Sequence, residues 1–282
     1  MFKKMLKTAV CALMIALAAV PALIVNAEES ESNAVAVTYE YGMQRGASYG
    51  KLVDDTTFFH IRSFSDENGA VEVRWDAKTD SAYVTCPDLT VIAKVGEPYI
   101  IANGRVIYSG RENFAEDGKL YVPARSLCKA FGFAIVWNAE NGSVHVYNDG
   151  EPIESAETYY NKNDLYWLSR IISCEAGGTE PLIGQIAVGN VVLNRVKDES
   201  SPDTVFDVIF DKRYGVQFTP AYTPNIYKEP YEISVIAAKI CLEGYSVSED
   251  ALFFYAPRYT YAAWIENTRE YLFTIGGHKF FA

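Results

Sequence analysis

Glu175 is the residue whose type and setting most clearly suit it to chemistry. Leu165, Leu168, Ile171 and Ile172 recur at helical spacing behind Asp164, which reads as the helix cap. Counting seven on from Leu168, or four on from Ile171, reaches Glu175, so its side chain shares the buried face of that helix. Ala176-Gly177-Gly178 ends the helix there. A carboxyl group among apolar neighbours, near the negative pole of the helix dipole, holds its proton tightly. A general acid working near neutrality needs that property. A structural carboxylate tied to Arg170 or Arg195 is the other reading, and spacing alone leaves both standing. Other chemistries find less support. A zinc amidase draws on about three protein ligands, usually with histidines among them, and this half of the chain holds one histidine, His278. A Cys174–His278 peptidase would set its thiol at the C-terminal end of a helix, where the dipole opposes a thiolate.

The elements that must position Glu175 follow from the same pattern. Thr179 and Pro181 open a second helix that runs through Lys197. Its apolar residues cover nearly every face, which predicts a buried helix. Asn190 and Asn194, four apart inside it, need partners. They either brace the neighbouring turn or hydrogen-bond a ligand. A short third helix starts at Ser201-Pro202, and a fourth runs from Pro230 to a stop at Gly244. Ala251–Tyr255 reads as a strand, and Tyr271–Ile275 with His278–Phe281 as a hairpin about Gly276-Gly277. Residues 162–282 are thus expected to form a mostly α domain with a small β-sheet.

A polar stretch over 149–161 reads as a linker, and residues 34–148 before it as an α+β domain. That domain carries a weak internal repeat. Residues 56–84 resemble 118–146, with Arg62-Ser63 matching Arg125-Ser126 and Trp75-Asp76-Ala77 matching Trp137-Asn138-Ala139. Each copy reads as strand, helix, strand, strand. Between the copies, Thr90–Val95 and Tyr99–Ile101, followed by an Asn103-Gly104 turn, supply a hairpin. Trp75 and Trp137 sit on alternating strands, where core packing is the stronger expectation and sugar stacking the weaker.

The residues quoted so far also carry resemblances. "YVPARSLCKAFGFAIVWN" is similar to the stalk domain named after the N-terminal domain of copper amine oxidases. Copper is not implied, because only His60 and His145 lie there, one per copy. In the second half, "LSRIISCEAGGTEPLIGQIAVGNVVLNRV", "VQFTP", "ALFFYAP", Trp264 and "IGGHKFF" resemble, in that order, the SleB-type cell wall hydrolases, or spore cortex-lytic enzymes. The resemblance implies a lysozyme-like domain that cleaves peptidoglycan glycan between N-acetylmuramic acid and N-acetylglucosamine as a lytic transglycosylase. The family's catalytic glutamate falls on Glu175, and no metal or other cofactor is expected. A single carboxyl group then serves as acid and afterwards as base, which leaves Glu180 as a positioning group. The substrate-binding candidates are Glu180, Gln185, Asn194, Gln217, Phe218, Tyr222, Tyr255 and Trp264, each with core packing as the alternative. A wall-binding protein without turnover and an N-acetylmuramoyl-L-alanine amidase are the rival functions.

Composition bounds the setting. Of 282 residues, 49% are apolar and 22% charged, the balance of a folded protein. Lys3, Lys4 and Lys7 precede an apolar run that ends near Ala27, the order of a secretory signal peptide over residues 1–27. The protein is therefore expected to be secreted, to a cell wall or spore envelope, and to touch a membrane only through an uncleaved leader. Removing those three lysines takes the net charge from −11 to −14. Such a chain is a poor polyanion binder, which sets nucleic acid aside and leaves peptidoglycan strands as the expected partner. Cys86, Cys128, Cys174 and Cys241 permit two bridges, simplest within each domain, or four free thiols.

Overall fold

In the computed structural model, β1 (Ala34–Tyr39), β2 (Ser48–Val53) and β3 (Thr56–His60) lead into α1 (Ile61–Glu67). The residues described are 34–39 and 48–282, so the leader lies outside them. Next come β4 (Glu72–Asp76), β5 (Ser81–Thr85), β6 (Thr90–Lys94), β7 (Tyr99–Ala102) and β8 (Arg105–Tyr108). Then follow β9 (Phe114–Glu116), β10 (Lys119–Pro123), α2 (Ala124–Phe131), β11 (Phe133–Asn138) and β12 (Ser143–Asn148). Strands β4 to β8 form a five-stranded meander in chain order, and the rest a seven-stranded sheet of order β11-β12-β1-β2-β3-β10-β9. Within the larger sheet β1 runs parallel to β12, with Ala36 opposite Ser143. The β7–β8 turn is Asn103-Gly104, with φ of +47° and +79°, the conformation a two-residue hairpin turn needs.

The tryptophans break the expectation of core packing. Trp75 is 43% exposed and Trp137 41%. Strands β4 and β11 stand at the ends of their sheets, where alternation still turns every second residue to one face but no further layer covers it.

The second half is helical: α3 (Ala156–Tyr159), α4 (Lys162–Ala176), α5 (Leu182–Lys197), α6 (Val205–Ile209) and α7 (Glu232–Leu242). Two 3-10 turns, Thr219–Tyr222 and Pro224–Tyr227, lie between α6 and α7. A three-stranded sheet closes the chain, from β13 (Phe253–Tyr255) past α8 (Ala263–Thr268) to β14 (Tyr271–Ile275) and β15 (His278–Phe281), in the order β13-β15-β14. Helix α4 packs against α5, α6 and α7. The stripe predicted for α4 is real, with Leu168, Ile171 and Ile172 fully buried. Its cap is not Asp164. The Asn161 side chain accepts from the amides of Asn163 and Asp164, and Asp164 instead lies in the first turn, where a negative charge favours the dipole. Helix α5 is buried over most of its length, as its all-round apolar surface predicts.

Residues 34–282 form a single contact unit, and the two halves are tightly joined. Val106 of β8 belongs to the helical core, with Tyr99, Ile101 and Tyr108 packed beside it. The Arg105 guanidinium donates from Nε and Nη2 to the two carboxylate oxygens of Glu243, at 2.7 and 2.8 Å. Tyr160 Oη donates to Glu243 at 2.8 Å and accepts from the Val106 amide at 3.2 Å. Lys239 Nζ donates to the Gly104 carbonyl at 2.7 Å. The polar 149–161 stretch is strapped down as well: Asn103 Nδ2 donates to the Ile153 carbonyl, and the Ala156 amide to the Asn103 carbonyl. All four cysteines described are free thiols.

Candidate active site

Helix α4 carries Glu175 into its last turn, one residue before buried Ala176. The carboxyl group is half-buried, and burial pushes its pKa up from 4.5 to about 7. Among the described residues, no hydrogen bond or ion pair holds it. The structural alternative therefore fails in both forms. Arg170 stacks on Tyr166 and reaches Glu229 at 3.4 Å, while Arg195 donates to the Leu252 carbonyl and to Gln217 Oε1. A desolvated carboxyl group without an internal partner is one free to address a ligand.

The turn after α4 is shaped by an aromatic ring. A Cβ on Gly177 would lie 2.3 Å from the Ser173 carbonyl oxygen and 2.6 Å from Tyr231 Cδ2, and one on Gly178 would lie 3.5 Å from the Tyr231 hydroxyl. The Tyr231 amide donates to Ser173 Oγ at 3.2 Å, yet the residue remains 58% exposed. A pocket of about 460 Å³ opens beside this turn, lined by Ser173, Cys174, Gly177, Thr219 and Tyr231 among others. Sequence reasoning passed over Tyr231. Its signal was the Gly177-Gly178 pair, read there only as a helix stop.

Glu180 is committed elsewhere. Both its carboxylate oxygens accept from the Gly277 amide at 3.0 Å, and His278 Nδ1 stands 3.6 Å from one of them. It fastens the β14–β15 turn to the start of α5. Gly276 at that turn has φ +55°, and a Cβ there would collide with the Glu180 carboxylate. Burial keeps His278 below its ordinary pKa, although Glu180 pulls the other way, so it stands neutral. The Cys174 thiol is pushed up, by burial first and by Glu175 second, which disfavours a nucleophilic thiolate.

Several substrate-binding candidates turn out to be internal braces. Gln185 is 1% exposed; it donates to the Glu180 carbonyl and accepts from Ser234 Oγ at 2.7 Å. Asn194 donates to the carbonyls of Ser248 and Ala251, and Asn190 likewise ties down Tyr245 and Val247. Phe218 is 2% exposed, in the core beside Phe254. Tyr255 is buried, stacked on Phe281, with its hydroxyl donated to Glu266. Gln185, Asn194, Phe218 and Tyr255 have their polar atoms or rings already taken up inside the fold. Gln217 is half-buried between Arg195 and the Gly215 carbonyl. Tyr222 and Trp264 remain exposed. The Tyr222 hydroxyl donates to the Phe210 carbonyl with Lys212 over the ring, and Trp264 packs edge-on against Phe253. The described residues hold no group of three or more His, Cys, Asp or Glu able to bind a metal.

Comparison with known proteins bears on both halves. Residues 179–281 match the family described as Cell Wall Hydrolase, a match that begins just beyond Glu175. Residues 47–155 match the Copper amine oxidase N-terminal domain. The spore cortex-lytic enzyme of Bacillus cereus is 36% identical over 121 residues, 43% of this chain and 45% of the relative. That of Oceanobacillus iheyensis is 34% identical over 145 residues, 51% of each chain. The chain thus spans about half the length of the curated relatives it matches. Among solved structures, the catalytic domain of the germination-specific lytic transglycosylase SleB from Bacillus anthracis aligns at 33% identity with a TM-score of 0.39, covering 44% of this chain and 98% of that one. The catalytic domain of Bacillus cereus SleB gives the same identity and TM-score, with 94% of that chain covered.

Proposed function

Because the chain carries a cell wall hydrolase domain behind a copper amine oxidase N-terminal-type domain, we propose that it is an exported lytic transglycosylase of peptidoglycan, acting on a cell wall or spore cortex. Glu175 is the catalytic residue. Its proton goes to the oxygen bridging muramic acid to N-acetylglucosamine, and that bond breaks as oxocarbenium character develops at the muramic C1. The carboxylate left behind then takes the proton of the C6 hydroxyl, whose oxygen closes onto C1 as a 1,6-anhydro ring. One carboxyl group performs both steps, and no water is consumed. The observation that carries this reading is the free, half-buried carboxyl of Glu175, raised to about 7. Near neutrality such a group is close to evenly divided between its acid and base forms.

The remaining groups are assigned by what they touch. Glu180 is a positioning residue, since its oxygens are occupied by Gly277 and His278. Tyr222, Tyr231 and Trp264 are exposed aromatics suited to stacking on sugar faces. Each strand–helix–hairpin run of the first half, β3-α1-β4-β5 and β10-α2-β11-β12, is read as a copy of one unit. Zymography on purified peptidoglycan tests the catalytic assignment: clearing by the wild type and none by Glu175→Gln, with unchanged circular dichroism. Equal clearing by the variant would overturn it. Mass spectrometry of the products then separates the chemistries. Anhydromuramic ends support transglycosylation, whereas reducing ends or free stem peptides would replace it with hydrolysis or amidase action.

A further inference from the structure

A larger cavity, about 780 Å³, lies away from Glu175, where the first half of the chain faces the end of α7. Its volume is that of a small-ligand site. Three aromatic residues line it: Trp137, exposed on the end strand β11, and the edge-to-face pair Tyr108 and Tyr245, 4.5 Å apart. Arg111 and Arg125 line it too. Neither guanidinium has a carboxylate partner among the described residues; Arg111 donates only to the Asp54 carbonyl, at 3.2 Å. Ser126, 4% exposed, also borders the cavity, and its hydroxyl has no partner among the described residues.

The acids at the cavity do not cancel this charge. Glu243 is already held by Arg105 from one side and Lys129 from the other, which leaves Asp55 as the unpaired acid of the lining. In a chain with a net charge of −11, two unpartnered guanidiniums lining one cavity are conspicuous. A planar guanidinium fork matches a carboxylate, and an aromatic face matches the apolar face of a sugar ring.

We infer that this cavity binds a carboxylate-bearing saccharide, a muropeptide-sized piece of the wall polymer, as a second contact with the wall remote from Glu175. The choice of muropeptide as the natural ligand rests on the peptidoglycan reading above; the match of charge and aromatic surface does not. The acid groups of the ligand face Arg111 and Arg125, a sugar ring lies on Trp137, and Ser126 accepts or donates one further hydrogen bond.

The test uses the full chain carrying Glu175→Gln, which binds without cutting. Purified disaccharide–tetrapeptide is titrated in by calorimetry and followed by tryptophan fluorescence, with parallel titrations of chitobiose, the free tetrapeptide and inorganic phosphate. Two sites per chain are expected, falling to one when Arg125→Glu or Trp137→Ala is added, and two again with Trp137→Phe. At the second site the disaccharide–tetrapeptide should bind at least tenfold more tightly than chitobiose. A single site in the starting protein, or two sites unchanged by both substitutions, would overturn the inference. Phosphate or free tetrapeptide matching the muropeptide at this site would overturn its saccharide part. Thermal melts of each variant check folding, and both positions are exposed enough to accept the changes. Wild-type cleavage is measured separately: cutting without a second site sinks only this inference, whereas a second site without cutting sinks only the catalytic assignment.

Discussion

A carboxyl group whose pKa rises on folding costs stability wherever it must ionise, and Glu175 makes that cost measurable. The unfolded chain releases this proton near pH 4.5, the folded chain near 7. Between those values the folded state binds more protons, so its stability falls as pH rises and the full penalty applies above about 7. The shift corresponds to at most about 3 kcal/mol. Glu175→Gln should therefore resist urea better than the wild type at about pH 8, with the gain vanishing at about pH 4.5; an equal advantage at both pH values would mean the carboxyl is not desolvated. Activity carries the same signature from the other side, with the limb that needs the protonated acid declining as pH passes about 7, measured as glycan solubilisation against pH. Glu175 was legible in the sequence because helical periodicity fixes which face a residue occupies. The roles of Gln185 and Asn194 were not, because periodicity says that a polar residue is buried without saying which carbonyls await it.

At the scale of elements, the two asparagines of α5 act as clamps on the chain between α7 and β13. The Asn194 amide holds the carbonyls of Ser248 and Ala251 at 2.8 and 3.0 Å. Asn194→Ala would leave both carbonyls buried without that donor and should cost about 1–3 kcal/mol, read by urea denaturation. Faster amide exchange should be confined to residues 246–252, and uniform exchange changes would argue against a local clamp. The β14–β15 turn behaves similarly. Gly276→Ala would drive a methyl group into the Glu180 carboxylate at a positive φ, loosening the hairpin, so the melting temperature should drop while the far-UV spectrum is kept. The long helices and the closing hairpin could be read from sequence because their apolar stripes are strong. Helix starts were less legible: the caps are Asn161 and Thr204, where the sequence reading placed the starts at Asp164 and Ser201-Pro202. Strands β1 and β2 escaped; β1 lies between its antiparallel partner β2 and the parallel strand β12, more than a hundred residues away.

For the whole molecule, the joint between halves combines apolar packing with one buried ion pair. Arg105 and Glu243 have side chains 8% and 5% exposed, and they lie 138 residues apart, which is why no local pattern announced them. Burial alone would raise the Glu243 pKa, but hydrogen bonds from Arg105 and Tyr160 and the charges of Arg105 and Lys129 outweigh it and hold it below its usual value. This contribution to stability is present above the ordinary carboxylate range and is lost as pH falls through the lowered value. Removing one partner strands the other, so Arg105→Met should cost about 3–5 kcal/mol, seen in urea unfolding at neutral pH and narrowing on acidification. The wild type should unfold in a single transition by both tryptophan fluorescence and circular dichroism; separate transitions would mean the halves are independent. The joint also sets a condition on dissection. Val106 and Tyr108 of β8, with Tyr99 and Ile101 of β7, pack against the helical core beside α7, so a fragment beginning at Lys162 would be born with a raw, greasy scar. Its tendency to clump would reflect a missing neighbour and say nothing about how well its own helices are built.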